Sequence, residues 1–148
     1  MTAKQYLLQY KNALAELKCK EAERQALLDK ATNISPALVG GAPTAGNITD
    51  KTGRGGTNIA EIDKQIEAEQ AKLAKLLANI RHTIAQVPDT AERNLLTYYY
   101  ICDYTWEQTA VEMNYSYNHV VANLHPSALR KVAIILKRTG QNEVNNTI

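Results

Sequence analysis

Residues 105–129 read TWEQTAVEMNYSYNHVVANLHPSAL. Thr105 stands three residues before Gln108, the spacing of a capping box, in which a hydroxyl and a side-chain amide each satisfy one backbone N–H at a helix start. A helix from Trp106 to Met113 follows, with the small Ala110 where a second helix must cross closely. Asn114 comes where this helix must end and turn, and asparagine tolerates the left-handed backbone that such a turn needs. Asp103, at the end of the preceding segment, can play the same part. Ser116 is a second N-cap and opens a helix from Tyr117 to Leu124. Val120 and Leu124 share its inner face, Tyr117 sits at the near edge, and Asn118, His119, Ala122 and Asn123 project the other way.

Two short helices around a tight turn predict a helix-turn-helix, whose second helix lies in the major groove and offers its N-terminal residues to base edges. Asparagine can bond adenine bidentately, and a small apolar side chain can meet a thymine methyl. Tyr117, Asn118, His119, Ala122 and Asn123 are therefore the candidate base-reading residues. Yet residues 105–129 contain no lysine and no arginine. The cations lie further on: Arg130, Lys131, Lys137 and Arg138 fall in a run from Met113 to Asn142 that holds no acidic residue, while Asp103, Glu107 and Glu112 precede it. Contacts that position a protein on DNA are separable from contacts that specify sequence. The four basic residues, with Thr105 and Ser116 at the capped helix starts, are the candidate phosphate contacts. Scattered charges of this kind usually mean a solvated helix face, and only the motif before them favours DNA. With about three to five phosphates neutralised per chain, the salt slope is about −3 to −5 and a monomer binds weakly.

Upstream, Asp89 to Ile101 reads as a helix with Leu95, Leu96, Tyr99 and Cys102 on its buried side. Pro88 suits its start, and Asp89 and Glu92 favour its dipole. Tyr98, Tyr99 and Tyr100 point in different directions around a helix, so core packing with one hydroxyl at the surface is expected rather than base stacking.

The stretch PDTAERNLLTYYYICDYTWEQTAVEMNYSYNHVVANLHPSALRKV resembles region 4 of the sigma-70 family and, more closely, the sigma-region-4-like late transcriptional regulators of bacteriophages. The matching features are the E-R before an apolar helix, the Y-I near its end, T-W-E-Q-T-A, the N-Y-S turn, and H-x-x-A-L at His125, Ala128 and Leu129. The resemblance is sharp over about the final third of the chain. It implies a DNA-binding regulator that acts at promoters with or through host RNA polymerase. Two departures stand out. Glycine is usual in the family where Asp103 and Asn114 stand, and both replacements still permit the turn. The interval from Ser116 to His125 is one residue longer than the family pattern, with Pro126 directly after it. Proline inside a helix costs about 3 kcal/mol. The reading helix is therefore expected to stop near Leu124 and a separate helix to start with Pro126 in its first turn.

Before this region, Leu7, Tyr10, Leu14, Leu17, Glu21, Arg24, Leu28 and Ala31 form one leaky heptad stripe, and Ile59, Ile62, Ile66, Glu69, Leu73, Leu76, Ile80 and Val87 a cleaner one. Two helices of about 28 residues, each roughly 40 Å long, suit an antiparallel hairpin. Such a hairpin buries one face of each helix, so pairing between chains as a homodimer or larger homo-oligomer is also expected. Residues 33–57 hold six of the seven glycines and two of the four prolines, which predicts a mobile loop. Gly41 and Gly46 fit GxxxxG, but Asn47 and Ile48 follow where a phosphate-binding loop needs lysine and a hydroxyl. The expected architecture is all-α, with a helical hairpin over 1–86, a helix-turn-helix domain over 87–139 and a flexible tail over 140–148.

The bulk numbers exclude more than they assert. A net charge of +2 in 148 residues rules out a protein that coats nucleic acid by charge alone. Cys19 and Cys102 read as reduced packing thiols, and His82, His119 and His125 make no metal-ligand pattern, so neither metal nor cofactor is expected. No Ser-His-Asp or Cys-His arrangement assembles, which puts an enzyme last. With no signal peptide and no run near about 18 apolar residues, the protein is expected in the cytoplasm of a bacterial host and off membranes. Besides a regulator, a small terminase subunit for phage DNA packaging and a protein-binding adaptor that keeps the motif fold without DNA both remain open.

Overall fold

The computed structural model describes the backbone of residues 1–38 and 45–140 and the side chains of 1–32 and 58–140. Among these residues every regular element is helical: α1 (Ala3–Leu38), α2 (Ala45–Ala85), α3 (Thr90–Leu96), α4 (Trp106–Met113) and α5 (His125–Thr139), with π turns at Thr97–Ile101 and His119–Leu124. The protein is all-α, as the periodicity predicts.

The long helices exceed their predicted length, with 36 residues in α1 and 41 in α2. Of the irregular connection expected over 33–57, residues 33–38 and 45–57 are helical instead; 39–44 lie outside the described residues, as do 141–148 of the expected tail. A helix already nucleated gains one hydrogen bond per added residue, so it can extend through glycines that cost about 1 kcal/mol each.

The chain divides into two compact units, Leu14–Lys72 and Met1–Ala13 with Leu73–Ile148. In Leu14–Lys72, Leu17 and Ile62 are buried, whereas Leu14, Leu27, Leu28, Ile59 and Ile66 stay half-buried. Lys20 Nζ donates to Gln65 Oε1 at 2.8 Å and Arg24 pairs with Asp63. The partners thus run in opposite order along the two helices, and Arg24, a polar member of the stripe, is matched across it.

The other unit gathers both ends of the sequence around one core. Ala3, Tyr6 and Leu7 from α1, Ile80, Ile84 and Val87 from α2 and its end, and Leu95, Leu96, Tyr100, Ala110, Val120, Ala128, Val132, Ile135 and Leu136 belong to one buried cluster. Each fully buried large aliphatic side chain stabilises this packing by about 1.5–3 kcal/mol relative to exposure. Position 86/87, expected as a domain boundary, is therefore a corner inside this unit. Asp89 caps α3 by accepting from the Glu92 N–H at 2.9 Å. Arg93 holds the corner from inside, with Nη1 donating to the carbonyls of Val87 at 2.7 Å and Pro88 at 3.0 Å. Lys11 sits 3.6 Å over the ring of Tyr99 and 3.5 Å from Asp103, which ties the start of α1 to the turn between α3 and α4.

Two π turns change which residues face the core. Each wide turn takes up one residue more than an α turn, so the phase beyond it shifts. Cys102, expected on the buried side, is exposed just after the first π turn, and Cys19 is exposed as well. Neither thiol packs. The second π turn lies between Ser116 and His125, and it carries the chain from Tyr117 into α5 without leaving helical geometry. Regular α-helix does begin at His125 with Pro126 in its first turn, but Leu124 keeps helical angles of φ −69° and ψ −45°. The expected break is thus a widened turn. The His125 N–H reaches back five residues to the carbonyl of Val120, and a widened turn moves the carbonyls that Pro126 would otherwise strike.

Candidate nucleic-acid interface

The local chemistry of residues 103–119 forms as its spacing predicts. The Thr105 Oγ1 accepts from the Gln108 N–H at 3.1 Å, and the Gln108 Oε1 accepts from the Thr105 N–H at 2.9 Å. Asn114 ends α4 in the left-handed region at φ 59°, and Asp103 ends the preceding turn at φ 61°. The Ser116 Oγ accepts from the His119 N–H at 3.1 Å, which caps the helix that follows.

The five residues expected to read bases lie along the first two turns of that helix. Asn118, Ala122 and Asn123 are exposed, Tyr117 is 50 % exposed, and Val120 behind them is fully buried. His119 is half-buried. Its Nδ1 lies 3.2 Å from Asn123 Nδ2, and its ring meets that of Tyr115 at 5.2 Å. His119 therefore positions neighbours on this face. Tyr115, 44 % exposed, was not among the candidates. Its signal is an aromatic residue placed in the turn between the two helices.

Of the expected phosphate contacts, Thr105, Ser116, Arg130, Lys137 and Arg138 are exposed. The three cations among them make no ion pair with a described residue. Lys131 is different. Its Nζ lies 2.8 Å from Oε2 of Glu92, whose side chain is only 5 % exposed, and Ser127 Oγ donates to the other oxygen at 2.6 Å. A buried carboxylate left without its cation is strongly destabilising, so Lys131 is engaged inside the molecule. Sequence reasoning could not find this cluster, because Glu92 reads locally as a first-turn acid of α3.

His125 and Tyr100 form a second buried polar pair. The Tyr100 hydroxyl lies 2.7 Å from His125 Nε2, and the Trp106 ring meets the imidazole edge-on at 4.5 Å. Trp106 stacks in turn on Tyr99, with ring centroids 3.6 Å apart. Burial first, and Lys4 second, lower the His125 pKa to about 4, so the imidazole is neutral at neutral pH. Burial likewise pushes the Tyr100 phenol above its usual value. Of the three tyrosines at 98–100, Tyr100 is core, and Tyr98 and Tyr99 are half-buried in ring stacks.

Among the described residues no group of three or more His, Cys, Asp or Glu side chains is placed to hold a metal ion. No helix among them is long and apolar enough to cross a membrane. The face from Tyr117 to Asn123 can exchange hydrogen bonds and van der Waals contacts with a ligand, and α5 after it carries the exposed cations Arg130, Lys137 and Arg138. No protein-family model, no curated protein and no solved structure matches the chain.

Proposed function

We propose that the protein is a sequence-specific DNA-binding transcriptional regulator built on a helix-turn-helix, in which α4 supports and the helix from Tyr117 reads. The observation that carries this reading is the solvent-facing set Asn118, Ala122 and Asn123 at the start of a capped helix that follows a left-handed turn. Such a set offers amide and methyl contacts suited to base edges. Arg130, Lys137 and Arg138 on α5 supply the phosphate contacts, with the hydroxyls of Thr105 and Ser116. Lys131 is left to Glu92.

Three exposed cations give a salt slope of only about −3 per chain, so a single chain binds weakly. The half-buried stripe residues Leu14, Leu28, Ile59 and Ile66 support a helical hairpin that pairs with another copy and doubles the contacts. The resemblance to sigma-70 region 4 extends the reading to a phage or prophage regulator in the bacterial cytoplasm that works at promoters with host RNA polymerase.

Selection of bound sequences from a random double-stranded DNA pool tests the proposal. An enriched motif is the expected result. Against that motif, Arg130→Ala with Lys137→Ala should weaken binding to all sequences alike and flatten the salt slope by about 2. A pool that returns no motif contradicts the reading.

A further inference from the structure

Two large aliphatic side chains stand far out of the surface on two helices of the same unit: Val111 on α4 at 75 % exposure and Ile134 on α5 at 62 %. Their surroundings are opposite in charge. Val111 lies with Tyr104, Glu107, Gln108 and Glu112 around a depression of about 390 Å³, and both glutamates are exposed. Ile134 lies four residues after Arg130 and four before Arg138, with Lys137 between, so all four fall on one stripe of α5; all four are exposed. Neither glutamate and none of the three cations pairs with a described residue. One face is an apolar anchor ringed by carboxylates, and the other an apolar anchor ringed by cations.

We propose that the α4 face around Val111 docks the α5 stripe around Ile134 of a second copy of the chain. Ile134 fills the depression beside Val111, while Arg130 and Arg138 meet Glu107 and Glu112. Potentials of opposite sign fix the register of such a contact, and the desolvated anchors supply its apolar burial. Two helix faces cover less area than a standard interface, so the association is weak, with a dissociation constant on the order of 0.1 mM at low salt. It needs no DNA and competes with phosphate for the same cations.

Sedimentation equilibrium of the full chain up to about 1 mM in low salt, without DNA, tests the contact through charge reversal. Glu107→Lys with Glu112→Lys makes both faces basic, and Arg130→Glu with Arg138→Glu makes both acidic. Each double variant alone should associate at least tenfold more weakly than wild type. A mixture of the two, in which every junction is again complementary, should recover to within about threefold. That recovery also shows that both variants are folded. Association is read as the increment over any assembly that the two variants share, so pairing through α1 and α2 does not enter. The proposal is overturned if either double variant alone associates as wild type does, or if the mixture gains nothing. The outcome stands apart from DNA binding, because no DNA is present.

Discussion

The Tyr100 hydroxyl and His125 Nε2 meet at 2.7 Å inside the core, bringing the end of one π turn against the residue that follows the other. Burial of this pair keeps the imidazole neutral, and the contact joins the turn after α3 to the start of α5. A buried neutral histidine makes folding depend on pH in a definite direction.

Because the folded pKa of His125 is about 4 and the unfolded value about 6.5, the unfolded chain takes up the proton first as pH falls. The contribution is intact above about pH 6.5, declines through the window down to about 4, and is gone below it. Up to about 3 kcal/mol is at stake, at about 1.4 kcal/mol per unit. Urea unfolding between pH 7 and 4.5 should show this loss, and His125→Gln should flatten the dependence. An unchanged slope in that variant means another group is responsible.

Lys131 and Arg130 are neighbours with opposite roles. Lys131→Ala strands the buried Glu92 carboxylate and should destabilise the fold by about 1–3 kcal/mol, discounted from a fully buried pair because the lysine is partly solvated. Arg130→Ala should stay within about 0.5 kcal/mol. Denaturant midpoints of the two variants decide it; equal effects would contradict the Glu92 assignment.

Asn114 holds the turn at φ 59°. Asn114→Ala should cost about 1 kcal/mol, the usual penalty for a side chain that cannot bond locally there, while Asn114→Gly should be neutral within about 0.5 kcal/mol. Thr105→Ala removes one half of the capping box and should cost about 1 kcal/mol. Thermal melts of the three variants measure the order.

The turn chemistry was legible in the sequence because it acts over three residues: Thr105 with Gln108, Ser116 with His119, and the left-handed Asp103 and Asn114. The helical stripes were legible from their period, with Leu7, Leu17, Ile62, Ile80 and Val87 all buried. What sequence could not give depends on distance or on a change of phase. Glu92 meets Ser127 across 35 residues, and Tyr6 and Leu7 join the core of the distant C-terminal helices. The π turns shift the period, so extrapolation at 3.6 residues per turn wrongly buried Cys102. The break expected before Pro126 is a widened turn instead. In the candidate interface, exposure agrees with the expected face at Asn118, Ala122 and Asn123. Lys131 is paired with Glu92, a buried acid that no local rule connects to it.

The central claim is that the helix from Tyr117 reads base sequence, and the most direct test is one ratio. The affinity for the selected motif over random DNA should be measured at fixed salt for wild type and for Asn118→Ala with Asn123→Ala. The account predicts a fall in that ratio of at least tenfold, from the loss of about 1–3 kcal/mol per bidentate contact, with random-DNA affinity and fold unchanged. A ratio that stays at the wild-type value would contradict it.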